Sequence, residues 1–362
     1  MNYLEPGNIA GKHIRNRTVV AAMTNQQSGD DGRLSDAEYN WLVARAAGGF
    51  GIVTTCAASV HPGGRSWPGQ LGIHSDEHLP GLRRLAAGIR AEGALAVAQI
   101  HHGGYRAPRA VSGVPPVSAT EFSIDAEGFE TPRMLETGEV EELVQAFVAA
   151  ALRAEEAGFD GVEFHGAHTY LITQFLSAEI NTRTDTWGGN LDNRYRFLSE
   201  CLRRTRRRCS SDFLLGVRLS PGVPRAHAGI SLAECLRIAP WIVKDGADFL
   251  HLSLRDAAGK TTPAADNDRH GKNAVPAFRS VLPVGFPLIT CGGIQSHQDA
   301  HDALALGADA VAMARAAIGN KEWPRLDVDP VHPPFSKEDL RDNQAVSSVF
   351  LDYLQRFPNL LA

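Results

Sequence analysis

The 362-residue chain is poor in cysteine and methionine, carries little net charge, and has no long apolar run. Its five cysteines, Cys56, Cys201, Cys209, Cys235 and Cys291, are odd in number and scattered. No two stand at zinc or iron–sulfur spacing, so neither a disulfide framework nor a cysteine metal site is expected. A reduced cytoplasmic protein is the simplest expectation. No stretch is apolar for long enough to span a bilayer. The segment from Met1 to Arg17 lacks the apolar core of a signal peptide. Lys plus Arg number 36 and Asp plus Glu 41, a net charge of −5, which excludes the electrostatic footprint of a nucleic-acid binder. The one basic run, Arg203-Arg204-Thr205-Arg206-Arg207-Arg208, falls on a predicted helix and reads as a solvated face. No Gly-x-Gly-x-x-Gly follows a predicted strand, so a separate nicotinamide-binding domain is not expected.

What is present is an alternation. Short apolar, β-branched runs are predicted as strands at Arg17–Ala22, Phe50–Thr55, Leu95–Ile100, Gly161–His165, Leu214–Leu219, Asp248–Leu252, Pro287–Thr290 and Ala310–Ala314. Helical patterns separate most of them. Strands apolar on both faces and joined by helices are buried parallel strands, and eight close naturally into a (β/α)₈ barrel. We therefore expect one α/β TIM-barrel domain spanning residues 1–362. Three helices end alike, at Ala157-Gly158-Phe159-Asp160, Asp245-Gly246-Ala247-Asp248 and Leu306-Gly307-Ala308-Asp309. Glycine there serves as the helix C-cap before the next strand. The longest interruption, Gly103 to Gly138, holds four prolines and follows the third strand, so it is expected to lie over the C-terminal face as a lid. Phe335 to Phe357 patterns as one closing helix.

In such a barrel the site is built at the C-terminal ends of the strands. Unusual residues gather there: Ala22-Met23-Thr24, Ala57, Gln99, His165, Arg218, Gly292-Gly293 and Ala314-Arg315. Arg218 lies within an apolar strand, which is costly unless the charge is paired; Glu163 is one candidate partner. Gln99 can be either a satisfied core amide or a donor–acceptor edge for a ligand. The fourth strand leads into His165, His168 and Tyr170 within six positions. Two histidines at that spacing could share a helix face and bind metal. No acidic residue stands close in sequence as a third ligand, and no metal site is expected.

That stretch continues as Gln174-Phe175-Leu176-Ser177, Asn181-Thr182-Arg183-Thr184-Asp185, Trp187-Gly188-Gly189, Asn193-Arg194 and Phe197. Over more than thirty positions it resembles the signature of the Old Yellow Enzyme family, the flavin-dependent ene-reductases. It departs at Thr169, where the family often has Gly, and at Trp187, where Tyr is usual. The resemblance implies non-covalent FMN, reduced by NADH or NADPH, then oxidised by an activated alkene such as an enone, enal or nitroalkene. It places Ala22 (Pro in many members), Met23, Thr24, Ala57, Gln99 and Arg218 around the flavin ring. Gly292, Gly293, Ala314 (usually Gly) and Arg315 fall at its phosphate. It implies that His165 and His168 bind the substrate oxygen, that Tyr170 donates a proton, and that Gln26 helps line the substrate pocket. Tyr105 stands where the family usually has Arg. Arg183, Asp185, Asn193 and Arg194 belong to the signature as structural residues.

Two other readings remain open from sequence. Amine demethylases of the same fold share the signature, and a barrel could bind phosphate or flavin without turnover. Some relatives carry a cysteine-rich iron–sulfur segment and a second flavin domain after the barrel, and neither is expected here. The expected partners are a small-molecule substrate, no nucleic acid, no membrane, and a second copy of the chain in a homo-oligomer.

Overall fold

The computed structural model describes residues 2–124, 128–222, 229–254, 257 and 274–362. Eight strands form its centre: β1 (Thr18–Val20), β2 (Ile52–Thr54), β3 (Leu95–His101), β4 (Gly161–Gly166), β5 (Leu214–Leu219), β6 (Phe249–Ser253), β7 (Leu288–Cys291) and β8 (Ala310–Met313). Each pairs in parallel with the next, and β8 pairs with β1 through Val311–Thr18 and Met313–Val20. The sheet is a closed ring, so it has no free edge.

Helices α1 (Asp36–Ala47), α2 (Leu79–Ala91), α3 (Thr137–Glu156), α4 (Leu171–Leu176), α5 (Leu191–Arg206), α6 (Leu232–Lys244), α7 (Ala274–Val281) and α8 (His297–Ala305) follow in chain order. The longer of them turn apolar faces inward, as α3 does with Val140, Val144, Phe147, Val148 and Ala151. A two-stranded hairpin precedes the barrel, and its Ile9 and Ile14 pack with Val19, Ile52, Val97, Leu214, Phe249 and Ile289 inside the ring. That plug fills the N-terminal end and leaves the C-terminal end for a site.

The three repeated junctions share one device. Gly158, Gly246 and Gly307 take positive φ of 86°, 102° and 109°, which a residue with a Cβ rarely adopts. The aspartate two residues on then accepts a neighbouring strand's N–H: Asp160 from Ala96, Asp248 from Leu215 and Asp309 from Leu288, each at 2.8–2.9 Å. These carboxylates hold strand register.

One expectation is corrected. Phe335 to Phe357 is not one helix but α10 (Lys337–Asp342) and α11 (Ser348–Leu354), preceded by a short α9 (Arg315–Gly319). The break has a cause: Ala345 takes a φ of 55°, and Ser347 caps α11 by accepting from Phe350 N–H. The interruption from 103 to 138 has structure of its own. It carries a turn of 3₁₀ helix, a short helix and a two-stranded pairing of Val117–Ser118 with Arg133–Met134. Arg183 ties it down by donating to the Ala119 and Leu135 carbonyls and to Asp185. Residues 125–127 of it lie outside the described residues.

Candidate active site

A cavity of about 730 Å³ opens at the C-terminal end of the barrel, within the usual range for small-molecule sites. Ala22, Met23, Thr24, Ala57, Gln99, His165, His168, Tyr170, Arg218, Ala314 and Arg315 all line it. Gln26, Gly292 and Gly293 are not among its described lining residues. Gln26 sits in a tight turn with a φ of 57°, its carbonyl packed against Gly69. Gly292 and Gly293, at φ of 131° and 69°, make a bend whose Gly292 carbonyl accepts from Ala257 N–H at 2.8 Å. No described residue of the 103–138 segment lines the cavity. That segment acts from behind: Arg106 donates to the His168 carbonyl at 2.7 Å and stands 4.8 Å from the Tyr170 ring centre.

His165 is the last residue but one of β4, where the register puts it beside Arg218 of β5. It is buried, and its Nδ1 has no partner. Burial pushes its pKa well down, and the charges of His168, His101, Arg218 and Arg106 act the same way. The ring is therefore neutral at physiological pH and keeps one N–H to donate. His168 is held in the left-handed region, with a φ of 58°, and Thr169 follows at 61°. Two successive non-glycine residues there indicate strain stored at the site. Its Nε2 meets Ser253 Oγ at 2.8 Å. Withdrawal from bulk water, then Arg218 and Arg106, depress its pKa. Because the side chain is open to solvent through the cavity, the weight of that shift rests on the two cations.

Tyr170 caps α4, with its ring edge-on to His101 at 4.3 Å and 4.9 Å from His165. Burial raises the phenol above its usual value, so it stays protonated.

Arg218 does not pair with Glu163. It donates to Ala22 O at 3.1 Å, Ser253 Oγ at 3.1 Å and Cys291 Sγ at 3.3 Å, and its buried Nε is left without a partner. Glu163 accepts instead from Gln99 Nε2 at 2.7 Å and pairs with His251 Nδ1 at 2.7 Å. Burial alone would raise Glu163, but His251, then Arg218 and Gln99, hold it below the ordinary carboxylate range. Burial alone would lower His251, but Glu163 and then Cys291 raise it to about 9. Cys291 would rise on burial, yet Arg218 and His251 bring it down to about 6.

An unpartnered guanidinium N–H and an unpartnered imidazole nitrogen, both buried beside one cavity, call for hydrogen-bond partners from a bound group. A flavin ring, or the ligand stacked on it, offers such partners, and the residues present fit it.

Sequence reasoning missed His251 and Cys291, although both lie in barrel strands where a polar residue is conspicuous. It also missed Trp67, Ile318, Pro333, Tyr353, Leu354, Phe357, Pro358, Asn359 and Leu360, which complete the lining. Most of these lie near the C-terminus and carry no motif. Among the described residues, no group of three or more His, Cys, Asp or Glu could hold a metal ion. No described helix is long and apolar enough to cross a membrane.

The profile of the NADH:flavin oxidoreductase / NADH oxidase family matches residues 3–326. The probable NADH-dependent flavin oxidoreductase YqiG of Bacillus subtilis is 38% identical over 318 residues, covering 87% of this chain and 84% of its own. The NADH:acrylate oxidoreductase of Vibrio harveyi is 34% identical over 319 residues, 87% of this chain but only 32% of its own length. Among solved structures, the old yellow enzyme homologue of Zymomonas mobilis superposes with a TM-score of 0.80 at 26% identity, covering 90% of this chain and 92% of that one.

Proposed function

Since this chain belongs to the NADH:flavin oxidoreductase / NADH oxidase family, the Old Yellow Enzymes, and is thus an FMN-dependent oxidoreductase that draws on NADH or NADPH, we propose that it reduces the C=C bond of an activated alkene. The observation that carries this reading is one cavity wall holding two neutral imidazoles beside a phenol that keeps its proton. The name of the Vibrio harveyi relative adds support, because acrylate is an alkene conjugated to a carboxylate.

Bound FMN supplies hydride acceptance from the nicotinamide and hydride donation to the substrate. Gln99, Arg218 and the Ala22-Met23-Thr24 loop would flank its ring, with Arg315, Ala314 and the Gly292-Gly293 bend toward its phosphate. Arg218 has an N–H to give to an acceptor on the ring, and a fixed cation there favours negative charge. His165 and His168 donate to the substrate's carbonyl, carboxylate or nitro oxygen. As neutral donors in a partly dry cavity they withdraw electron density from the alkene without losing a proton. Tyr170 gives its proton to the α-carbon. The substrate is a small molecule, and residues 1–362 act as one FMN-binding barrel.

The test begins with a flavin spectrum of the purified protein. Anaerobic NADH or NADPH should bleach it, and 2-cyclohexenone should restore it with formation of cyclohexanone. Bleaching without any alkene product would overturn the alkene reading and leave the flavin oxidoreductase standing.

A further inference from the structure

Arg218 has a task at the flavin, but the groups behind it have none so far. Glu163, His251 and Cys291 are buried with it on neighbouring strands, where apolar side chains would pack at less cost. Arg218 and His251 are register partners on β5 and β6, and Ser253 and Cys291 on β6 and β7. Arg218 Nη2 donates to Cys291 Sγ at 3.3 Å and to Ser253 Oγ at 3.1 Å. Arg218 lines the cavity, and its buried Nε has no partner. One guanidinium thus joins a thiol to the cofactor site.

The charged and titratable groups around that sulfur, among the described residues, come from three places. Arg218 reaches it from β5. His251 stands beside it on β6, with its Nδ1 paired to Glu163 of β4 at 2.7 Å. His168, from the turn after β4, is linked to it through Ser253. Ala312 of β8, the register partner of Cys291 on the other side, carries no charge. Burial pushes the thiol up, but Arg218 and then His251 bring it down to about 6. At neutral pH the sulfur therefore shares the charge of Arg218.

We propose that Cys291 takes up one proton from solvent when the flavin is reduced, and so couples the flavin's potential to pH through Arg218. Hydride brings two electrons and one proton, which adds one negative charge beside the guanidinium. Two anions then compete for one cation, and a like charge nearby favours the protonated thiol. An S–H bond forms, one hydronium ion is consumed, and no electron passes through sulfur. Ser253 Oγ lies 3.7 Å from Cys291 Sγ and 2.8 Å from His168 Nε2, and His168 lines the cavity. That chain gives the proton its way in. Cys291 is a positioning residue, since it acts through Arg218 and touches no substrate. The inference rests on the flavin placement of Arg218 and makes no use of the alkene reading.

The experiment uses the FMN-loaded full chain. Its midpoint potential is measured against reference dyes on both sides of pH 6. Cys291→Ser cannot ionise in this range. It should match the parent below pH 6 and exceed it as pH rises from there toward neutrality. The gap should grow by up to tenfold in the reduction equilibrium constant, about 30 mV for two electrons, per pH unit. Cys291→Ala should behave as Cys291→Ser does. The reduced-minus-oxidised infrared difference spectrum of the parent should gain an S–H stretching band at neutral pH that both variants lack. A potential with the same pH dependence in parent and variants, or a parent spectrum that gains no S–H band, overturns the role of Cys291. Arg218→Met tests the premise separately. A fall in potential or in FMN content supports the placement of Arg218 beside the flavin. A variant that holds FMN at the parent's potential overturns that placement, and this inference with it.

Discussion

Desolvation holds the half-buried Tyr170 phenol in its protonated form, and a protonated phenol beside two neutral imidazoles can serve a step that consumes a proton. Hydride transfer from a nicotinamide needs none. Tyr170→Phe should therefore leave the rate of flavin reduction by NADH near its parent value and slow enone reduction by about 10²–10⁴-fold. Stopped-flow measurement of each half-reaction separates the two, and full enone activity in the variant would sink the assignment. These residues were legible in the sequence because six positions held three hydrogen-bonding side chains after an apolar strand. His251 and Cys291 were not, because their meaning lies in pairing across strands. His251 is raised to about 9 from 6.5, so its contribution to stability is full below 6.5 and is lost as pH rises through 9. Cys291 is lowered to about 6 from 9.0, so its contribution is full above 9.0 and is lost as pH falls through 6. Between those limits the folded pair and the unfolded pair hold the same single proton, and their pH dependences cancel. Cys291→Ser should uncover the histidine, which Glu163 alone then raises and to a value lower than in the parent, so that stability falls with rising pH from 6.5 up to that lower value by up to about 1.4 kcal/mol per pH unit. Urea midpoints across the interval check it; a variant that tracks the parent would show that the two groups do not share a proton.

Elements were more legible than their contacts. Each barrel strand is buried on both faces, so each reads as a short apolar run, and the eight runs match the eight strands closely. The Gly-x-Asp punctuation was read as helix capping, which accounts for the glycine but not for the acid. The acid bonds a strand that is adjacent in space and distant in sequence, and no local pattern announces that. Asp309 accepts Leu288 N–H at 2.9 Å and also pairs with Arg279 at 2.6 Å. The Arg279 pair is about a quarter exposed and contributes little; the bond to the strand N–H is the larger part. Asp309→Ala should destabilise the barrel by about 1.5–3 kcal/mol, the scale of a charge-assisted hydrogen bond. Arg279→Met should cost less, although it also removes that side chain's bonds to the Gly307 and Phe286 carbonyls. Denaturant unfolding of both variants decides it, and an arginine change as costly as the aspartate change would reverse the attribution.

At the scale of the molecule, the barrel and its C-terminal wall meet at Arg45, a buried side chain on α1. It donates to the carbonyls of Trp41 at 3.1 Å, Ala317 at 3.0 Å, Ile318 at 3.0 Å and Gln344 at 2.7 Å. Its guanidinium lies 4.4 Å from the Trp41 ring centre, and Trp41 meets Phe350 edge-on at 5.4 Å. Phe350 is one helical turn before Tyr353. One cation thus joins the first helix, the helix after β8 and the segment that walls the cavity. In the sequence it was one more arginine in a helical pattern, because three of its four partners lie some 270 to 300 residues away. Arg45→Met keeps most of the side chain's bulk but removes every donor, leaving buried carbonyls unpaired. The expected loss is about 1–3 kcal/mol for a buried carbonyl left unpaired. The variant should still bind FMN, because no flavin-facing residue is changed. Its wall should loosen, raising KM for alkenes, with new proteolytic cleavage near the break between α10 and α11. Urea midpoints, flavin content and limited proteolysis read the three effects separately. A variant as stable as the parent, with its C-terminal segment equally protected and KM unchanged, would mean that the wall is held by its apolar contacts alone.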